Sequence, residues 1–519
     1  MANKNLFSSA LSSFGAKFAP RADTVNQAGG VAYAYGPEAL LAQLAVTGTL
    51  SDGFYTDAQD QLAQALEAAR AVDAEWVAKC AIYSRQSGAM KDMPALLTAV
   101  LSVSDPDLMV PVFKRVIDNG RMLRNFVQIM RSGQTGRTSL GSRPKRLVRE
   151  WLETASTRQL MQAATGKDPS LADIVKMVHP APASAQRRAF YGWLIGKPYD
   201  VAALPKEIAE FEAWKADRSR PLPDVPFEWL TAFDLTTKQW AVLADRMGWQ
   251  ALRMNLNTLA RKGVFQIDGV TEKVAARLAD PDAIARVKPM PYQLMTALSQ
   301  VGDGVPLAVQ AALEKALELS LAKVPALQGN VVVCPDVSGS MSCPATGYRK
   351  GATSVVRCID IAALVSAAML RSNPQTRVLP FEVRVVKLKL DPKARVAVNA
   401  AKLAGVGGGG TNVSAPLALL NDEKAKVDTV VIVSDNESWV DPARRGATGT
   451  MNEWTRLKAR NRQAKLICID IQPYGSTQAK NRKDIMNVGG FTDAVFDAMA
   501  RFANNEARDW VEIVNEVEV

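Results

Sequence analysis

Three short stretches, far apart in the chain, carry oxygen donors of the kind that hold a hard divalent cation. Asp336-Val337-Ser338-Gly339-Ser340 alternates a carboxylate and two hydroxyls with intervening residues, so one loop can aim three oxygens at a common point. Gly407-Gly408-Gly409-Gly410 precedes Thr411, and the glycines let the backbone turn tightly enough to bring that hydroxyl close. Ser434-Asp435 adds another carboxylate. Carboxylate and hydroxyl oxygens suit magnesium, which usually retains several waters. Each piece alone has a plainer account, with Ser and Gly as turn residues and Asp435 as a helix cap. Three such pieces together favour a cation site. The glycine run also suggests a phosphate loop, but no Lys-Ser/Thr follows it, and a nucleotide site is rejected.

The elements that must position these residues are strands alternating with helices. Val331–Cys334, Val430–Val433 and Leu466–Ile471 are short, β-branched, apolar runs, and Ile359–Arg371 and Met451–Arg462 read as helices between them. This alternation predicts a doubly wound, Rossmann-like α/β domain with a mostly parallel sheet. Ligands bind such sheets at the carboxyl ends of the strands. Val331–Cys334 runs directly toward Asp336, and Val430–Val433 leads into Ser434-Asp435, so both aspartates fall on one rim.

The chain before Val324-Pro325 has a different texture. From about Glu38 to Lys323 the periodic segments read as helices, among them Pro94–Val103, Met122–Met130, Arg146–Leu152, Lys238–Met247 and Leu307–Lys323. Leu62, Ala65, Leu66 and Ala69 fall on one helical face, as do Leu171, Ile174, Val175 and Val178. Short breaks such as Ser104-Asp105-Pro106 and Asp118-Asn119-Gly120 separate them. Many helices with short turns predict a stacked helical-pair solenoid, although no fixed repeat period can be aligned. A length of 519 residues suggests two or three domains, and the change of texture at Val324-Pro325 divides the chain into 1–325 and 326–519.

A formal net charge of +11 favours acidic partners, nucleic acid or anionic membrane first. It is concentrated between Asn119 and Arg149, where no acidic residue occurs and Arg121, Arg124, Arg131, Arg137, Arg143, Lys145, Arg146 and Arg149 are basic. On a solenoid such side chains can form a track for phosphates, to which the planar guanidinium fork is suited. A merely solvated face explains the charge equally well. His179 is the only histidine. It follows the helix Leu171–Val178 and precedes Pro180-Ala181-Pro182, a position where histidine commonly caps stray carbonyls. The five cysteines are scattered, with no Cys-x-x-Cys pair, and read as reduced thiols of a cytosolic protein. Met1 to Pro20 places Phe7, Leu11, Phe14 and Phe18 among serines and is not a signal peptide; no stretch is long and apolar enough to span a bilayer.

Asp336-Val337-Ser338-Gly339-Ser340-Met341, with Gly410-Thr411 and Ser434-Asp435-Asn436-Glu437, resembles the metal-ion-dependent adhesion site of von Willebrand A domains. More narrowly, the chain resembles the Ro autoantigen family of TROVE-domain RNA-binding proteins. It shares a similar Asp-Asn-Glu ending and a distal stretch matched by Lys483-Asp484-Ile485-Met486-Asn487-Val488-Gly489-Gly490-Phe491. Asp173-Ile174-Val175-Lys176-Met177-Val178-His179 is similar to the family's histidine helix, and Ala28-Gly29-Gly30 and Gly53-Phe54-Tyr55 to its N-terminal pattern. The resemblance implies Ser338, Ser340 and Thr411 as hydroxyl ligands of Mg2+ or another divalent cation. Asp336 and Asp435 are then its carboxylates, acting partly through water.

The resemblance further implies a ring of HEAT-type helical repeats whose ends meet at the von Willebrand A domain. The ring's basic outer face, with Lys145, Arg146, Lys176 and His179, is then expected to bind a Y-type non-coding RNA. Its cavity is expected to take single-stranded 3′ ends of misfolded RNAs, in a monomeric, cytoplasmic quality-control protein that can tether a ribonuclease through the RNA. Two departures stand out: the family's basic run before the histidine helix is reduced to Lys167, and a second family histidine is replaced by Leu171. An enzyme is not expected, since one histidine cannot form a pair, no base stands out among the aspartates and no Gly-x-Ser-x-Gly elbow occurs. The alternative reading is a metal-dependent protein-interaction scaffold, with a partner's carboxylate completing the cation's shell. A membrane-surface role lacks an aromatic-rich amphipathic helix beside the basic face.

Overall fold

Residues 19–321, 324–345, 356–440 and 446–519 are described by the structure, a computed structural model. Phe7, Leu11, Phe14 and Phe18 lie outside them, as does Lys323. The described chain opens with a hairpin, β1 (Thr24–Val25) against β2 (Val31–Ala34), which turns through Gly29 at φ +83°.

Helices follow from Pro37 to Ser320, joined by short turns. Their starts are set locally. Asp57, Asp73, Asn119, Ser156, Ser170 and Thr236 each accept backbone N–H bonds at a helix N-terminus. Gly120–Arg131 is representative: Met122, Leu123, Phe126, Val127 and Met130 are buried, while Arg121 and Arg131 stand outside. The helices expected at Pro94–Val103, Met122–Met130 and Arg146–Leu152 extend to Asp92–Ser104, Gly120–Arg131 and Ser142–Thr154, because polar first and last turns lie beyond the apolar periodicity. Leu171, Ile174, Val175 and Val178 are all buried, as their spacing predicts.

The C-terminal half is a five-stranded parallel sheet. Its strands are β3 (Val331–Pro335), β4 (Arg377–Val378), β5 (Thr429–Ser434), β6 (Lys465–Asp470) and β8 (Ile485–Gly489), in the order β4-β3-β5-β6-β8. Burial on both faces explains the continuous Val/Ile runs of β3 and β5, in which every residue is buried. The first three apolar runs appear as predicted. β4 is only two residues long and β8 is broken by Asn487, which removed the periodic cue for both. β7 (Ser476–Thr477) pairs antiparallel with β2, so the N-terminal hairpin is stitched to the C-terminal domain.

Both ends of the helical run rest on that same domain. The first helix, Pro37–Thr47, packs on β8 and on the last helix, Trp510–Asn515. The helix Pro291–Gln300 packs on Cys358–Ser372, and the ring of Tyr292 meets Phe491 edge-on at 5.2 Å. Arg395 pairs with Glu314, and the Val396 N–H donates to Glu318 at 3.1 Å. The helical path thereby closes on itself through the parallel-sheet domain. Among the described residues no helix is long and apolar enough to cross a membrane.

Candidate metal centre and nucleic-acid interface

β3 and β5 run in register, Pro335 beside Val433, so Asp336 and Asp435 leave neighbouring strand ends. The Asp336 N–H continues the ladder to the Val433 carbonyl at 2.9 Å. Its carboxylate then organises the loop, accepting the Ser338 N–H at 2.9 Å and the Ser434 hydroxyl at 2.7 Å. The Ser338 and Ser340 hydroxyls lie 3.3 Å apart. The glycine run closes on this loop through Gly408 N–H to the Val337 carbonyl and Gly339 N–H to the Gly409 carbonyl, both 2.9 Å. Such an approach needs glycine: at Gly407, φ is +102° and a Cβ would stand 1.9 Å from the Val337 carbonyl oxygen. The Thr411 carbonyl accepts the N–H groups of Trp439 and Val440 at 3.2 and 3.1 Å, tying Thr411 to the acidic loop. The three predicted segments meet at one rim, and Asp336, Ser338, Ser340, Thr411 and Asp435 are all buried there.

The electrostatics of this rim are those of buried carboxyls that raise one another. Burial, reinforced by Asp435, pushes the Asp336 carboxyl up to about 7. Burial also raises Asp435, and it pushes Glu437 to about 8 with Asp435 as the next contribution. Asp470, at the end of β6, is raised well above the usual carboxylate range, again by burial first. Asp435 Oδ2 and Glu437 Oε1 are buried without a hydrogen-bond partner among the described residues. Among the described residues no group of three or more His, Cys, Asp or Glu is arranged to hold a metal. A donor set weighted toward hydroxyls, with the two carboxylates of Asp336 and Asp435, is what the rim offers. A hard divalent cation fits those orphaned oxygens. Glu437 was legible only as part of the quoted Asp-Asn-Glu ending, and Asp470 had no cue beyond ending an apolar run.

The sequence also gave no hint of what covers this rim. Tyr55, in the loop between helices Pro37–Thr47 and Ala58–Arg70, stands close to it, and burial, reinforced by Asp435 and Glu437, pushes its hydroxyl to about 12. Its ring packs edge-on against Tyr474 at 5.5 Å, while the Phe54 N–H donates to the Tyr474 hydroxyl at 3.3 Å. From the hairpin, the Ala28 N–H donates to Glu437 Oε2 at 3.0 Å and Asn26 Nδ2 to the Ser438 carbonyl at 2.8 Å.

The basic stretch is less uniform than its sequence. Arg124 donates to the Ala163 carbonyl at 2.6 Å, Arg137 to that of Ser102 at 2.6 Å and Arg149 to that of Val178 at 2.5 Å. Arg143 pairs with Asp107 at 2.8 Å. These four cations have structural partners, so the unbroken track expected from the charge pattern is thinned. Arg121, Arg131, Arg146, Lys176 and His179 are exposed and Lys145 half-buried, on helices that pack together: Leu171–Val178 touches both Gly120–Arg131 and Ser142–Thr154. His179 occupies the left-handed region at φ +48°, and its N–H closes the helix onto the Val175 carbonyl at 3.0 Å. The capping role is realised in its backbone, and its side chain is left outward. Leu171 is 1 % exposed and belongs to the core.

The Ro60 von Willebrand A domain family matches residues 330–503. The chain is similar to the RNA-binding protein RO60 of Deinococcus radiodurans, at 26 % identity across 93 % of this chain and 95 % of that one. Among solved structures it resembles the crystal structure of the Deinococcus radiodurans RO (RSR) protein. The TM-score is 0.62 at 24 % identity, covering 91 % of this chain and 100 % of that one.

Proposed function

We propose, from the match of residues 330–503 to the Ro60 von Willebrand A domain family and the similarity to an RO60 protein along nearly the whole chain, that this is a Ro60-type, non-catalytic RNA-binding protein of RNA quality control. It holds a Y-type non-coding RNA on its outer basic face and takes single-stranded 3′ ends of misfolded RNAs into the opening of its helical ring. Similarity to an RNA-binding protein along nearly the whole chain is the observation that carries this reading. The outward cations of three helices in contact, Arg131 with Lys145, Arg146, Lys176 and His179, support it. Among the described residues Arg131, Lys145, Arg146 and His179 have no hydrogen-bond or ion-pair partner of their side chains to break, unlike Arg124, Arg137, Arg143 and Arg149. An opening that passes one strand and excludes a duplex selects by shape, and phosphate contacts supply affinity that tolerates any sequence. A folded RNA on the outer face can block the opening or tether a ribonuclease. The protein acts as a monomer, in the cytoplasm.

Purified protein is expected to retain nucleic acid, and its RNA affinity to fall steeply with salt, by about 0.9 in log–log slope for each duplex phosphate neutralised. Sequencing the retained RNA identifies its class. Protein that copurifies without nucleic acid and binds RNA with no salt dependence overturns the proposal.

At the rim, Asp336, Ser338, Ser340, Thr411 and Asp435 hold Mg2+ or a similar divalent cation. The cation neutralises the buried carboxylates and fixes the loops, and we assign it no step in a reaction. The alternative of a metal-dependent scaffold requires a partner's carboxylate to enter this site. Its five donor residues are buried beneath the chain's own segments, which favours the RNA reading. Chelation separates the two: RNA binding should survive it, whereas a scaffold would release its partner.

A further inference from the structure

Two motifs remain unused by the RNA reading: Ala28-Gly29-Gly30 and Gly53-Phe54-Tyr55. Both are distant in sequence from the C-terminal domain, and both land on its acidic loop. From the hairpin, the Ala28 N–H reaches Glu437 and Asn26 reaches the Ser438 carbonyl. Gly30 comes so near that a Cβ would stand 2.1 Å from the Ser438 carbonyl oxygen. From the helical half, the Tyr55 ring packs edge-on against Tyr474 at 5.5 Å, and the Phe54 N–H donates to the Tyr474 hydroxyl. The loop bearing Tyr55 is itself pinned, since Asp52 and Asp57 accept the first N–H groups of the helix Ala58–Arg70 and Gln61 donates to the Ser51 carbonyl.

The seam between the two halves is therefore built over carboxylates. Asp336, Asp435 and Glu437 are fully buried there, and among the described residues Asp435 Oδ2 and Glu437 Oε1 have no partner. Burying carboxyl oxygens that lack a partner is costly, and opening the seam would return them to water. A cation held among them removes that cost only while the seam is shut. We propose that the cation site is a clasp within the chain: Tyr55 and the Asn26–Gly30 turn close over it, and cation occupancy locks the N-terminal segments onto the C-terminal domain. This rests on the metal reading above and adds that the ring's closure is cation-dependent. By reciprocity, whatever loosens the cover weakens the cation.

The test uses the full chain. Mg2+ titration by calorimetry comes first, then hydrogen exchange of residues 24–34 and 49–57 in Mg2+ and in EDTA. Exchange in both segments should slow on the order of tenfold or more at saturating Mg2+, and Asp336→Ala should remove the effect. Tyr55→Phe should weaken Mg2+ binding by about 3- to 10-fold, with circular dichroism unchanged in EDTA. Gly30→Ala attacks the cover independently from the hairpin side and should also weaken Mg2+. A wild-type protein that binds no Mg2+ defeats the metal reading and the clasp with it, visibly in the titration alone. Mg2+ binding with unaltered exchange in both segments, or with affinity indifferent to both variants, overturns the clasp and leaves the metal reading standing.

Discussion

Arg149 donates its Nε–H to the carbonyl of Val178 at 2.5 Å, at the end of the helix that His179 terminates. The last carbonyls of a helix have no partner within it, and its C-terminal dipole attracts a cation. The same device recurs along the helical half. Arg124 serves Ala163, Arg137 serves Ser102, Arg187 serves Leu152 and Arg277 serves Ala244, over sequence separations of 39, 35, 35 and 33 residues. Arginine is thus a structural residue at the helix ends here, and a basic stretch mixes cations that hold the repeat with cations that face outward.

Stability and RNA binding should consequently separate. Arg149→Ala is expected to cost about 1.5–3 kcal/mol, the usual worth of a charged hydrogen bond to a part-buried carbonyl, seen as a lower Tm. Lys145→Ala with Arg146→Ala should leave stability within about 0.5 kcal/mol. That pair should weaken RNA of any sequence and flatten the salt dependence by roughly two phosphates. Filter binding across a salt series, beside thermal melts, decides it. Equal Tm losses in the two variants would refute the division.

His179 holds a backbone conformation that favours glycine, at φ +48°. His179→Gly should therefore be neutral or stabilising by up to about 1 kcal/mol while losing contacts to a folded RNA. His179→Ser should show the same loss of RNA affinity. Single-stranded RNA binding should be spared in both. Competition between a folded RNA and an oligonucleotide measures this, and undiminished folded-RNA affinity in the glycine variant rules the side chain out.

What could be read from the sequence follows from how local each cue is. Val331–Cys334 and Leu171–Val178 declare themselves because every turn or every strand residue is apolar, and Asp336-x-Ser338-x-Ser340 because its donors share one loop. The second family histidine position, Leu171, turns inward, a burial that its apolar character predicts. The helical repeat could not be aligned because it is marked by arginine-to-carbonyl contacts across loops of unequal length, not by a fixed motif. Tyr55, Ala28 and Asn26 were invisible as site residues for a topological reason. β2 joins β7 and the helical path closes on the sheet domain, a pairing of residues over 400 positions apart that no window detects.

Gly407→Ala should disable the cation site without touching a donor. Its Cβ would meet the Val337 carbonyl oxygen and Cβ at 1.9 and 2.7 Å, at a φ of +102° that alanine resists. The glycine loop must then move away from the Asp336 loop, carrying Thr411 with it. We expect Mg2+ binding to fall at least as far as in Asp336→Ala, and stability to drop by about 1–3 kcal/mol. RNA affinity should hold. Calorimetric Mg2+ binding that persists in Gly407→Ala would remove Thr411 from the donor set.

The buried carboxyls also set a pH dependence. Asp336 titrates at about 7 and Glu437 at about 8 in the folded chain, each raised by burial from an ordinary carboxyl value. A raised folded value means that the folded state binds more protons than the unfolded one between roughly pH 4 and 8. Their contribution is therefore present at the acid end of that window and is lost as pH rises through the folded values. In EDTA, the part of stability due to these two groups should decline from pH 5 toward pH 8. A divalent cation takes the place of those protons, so Mg2+ binding should strengthen over the same range and release protons. Melts at several pH values with and without Mg2+ test both signs, with Asp336→Ala and Glu437→Gln as controls for the groups concerned. If Mg2+ affinity is flat between pH 6 and 8, the cation does not displace protons from these carboxyls.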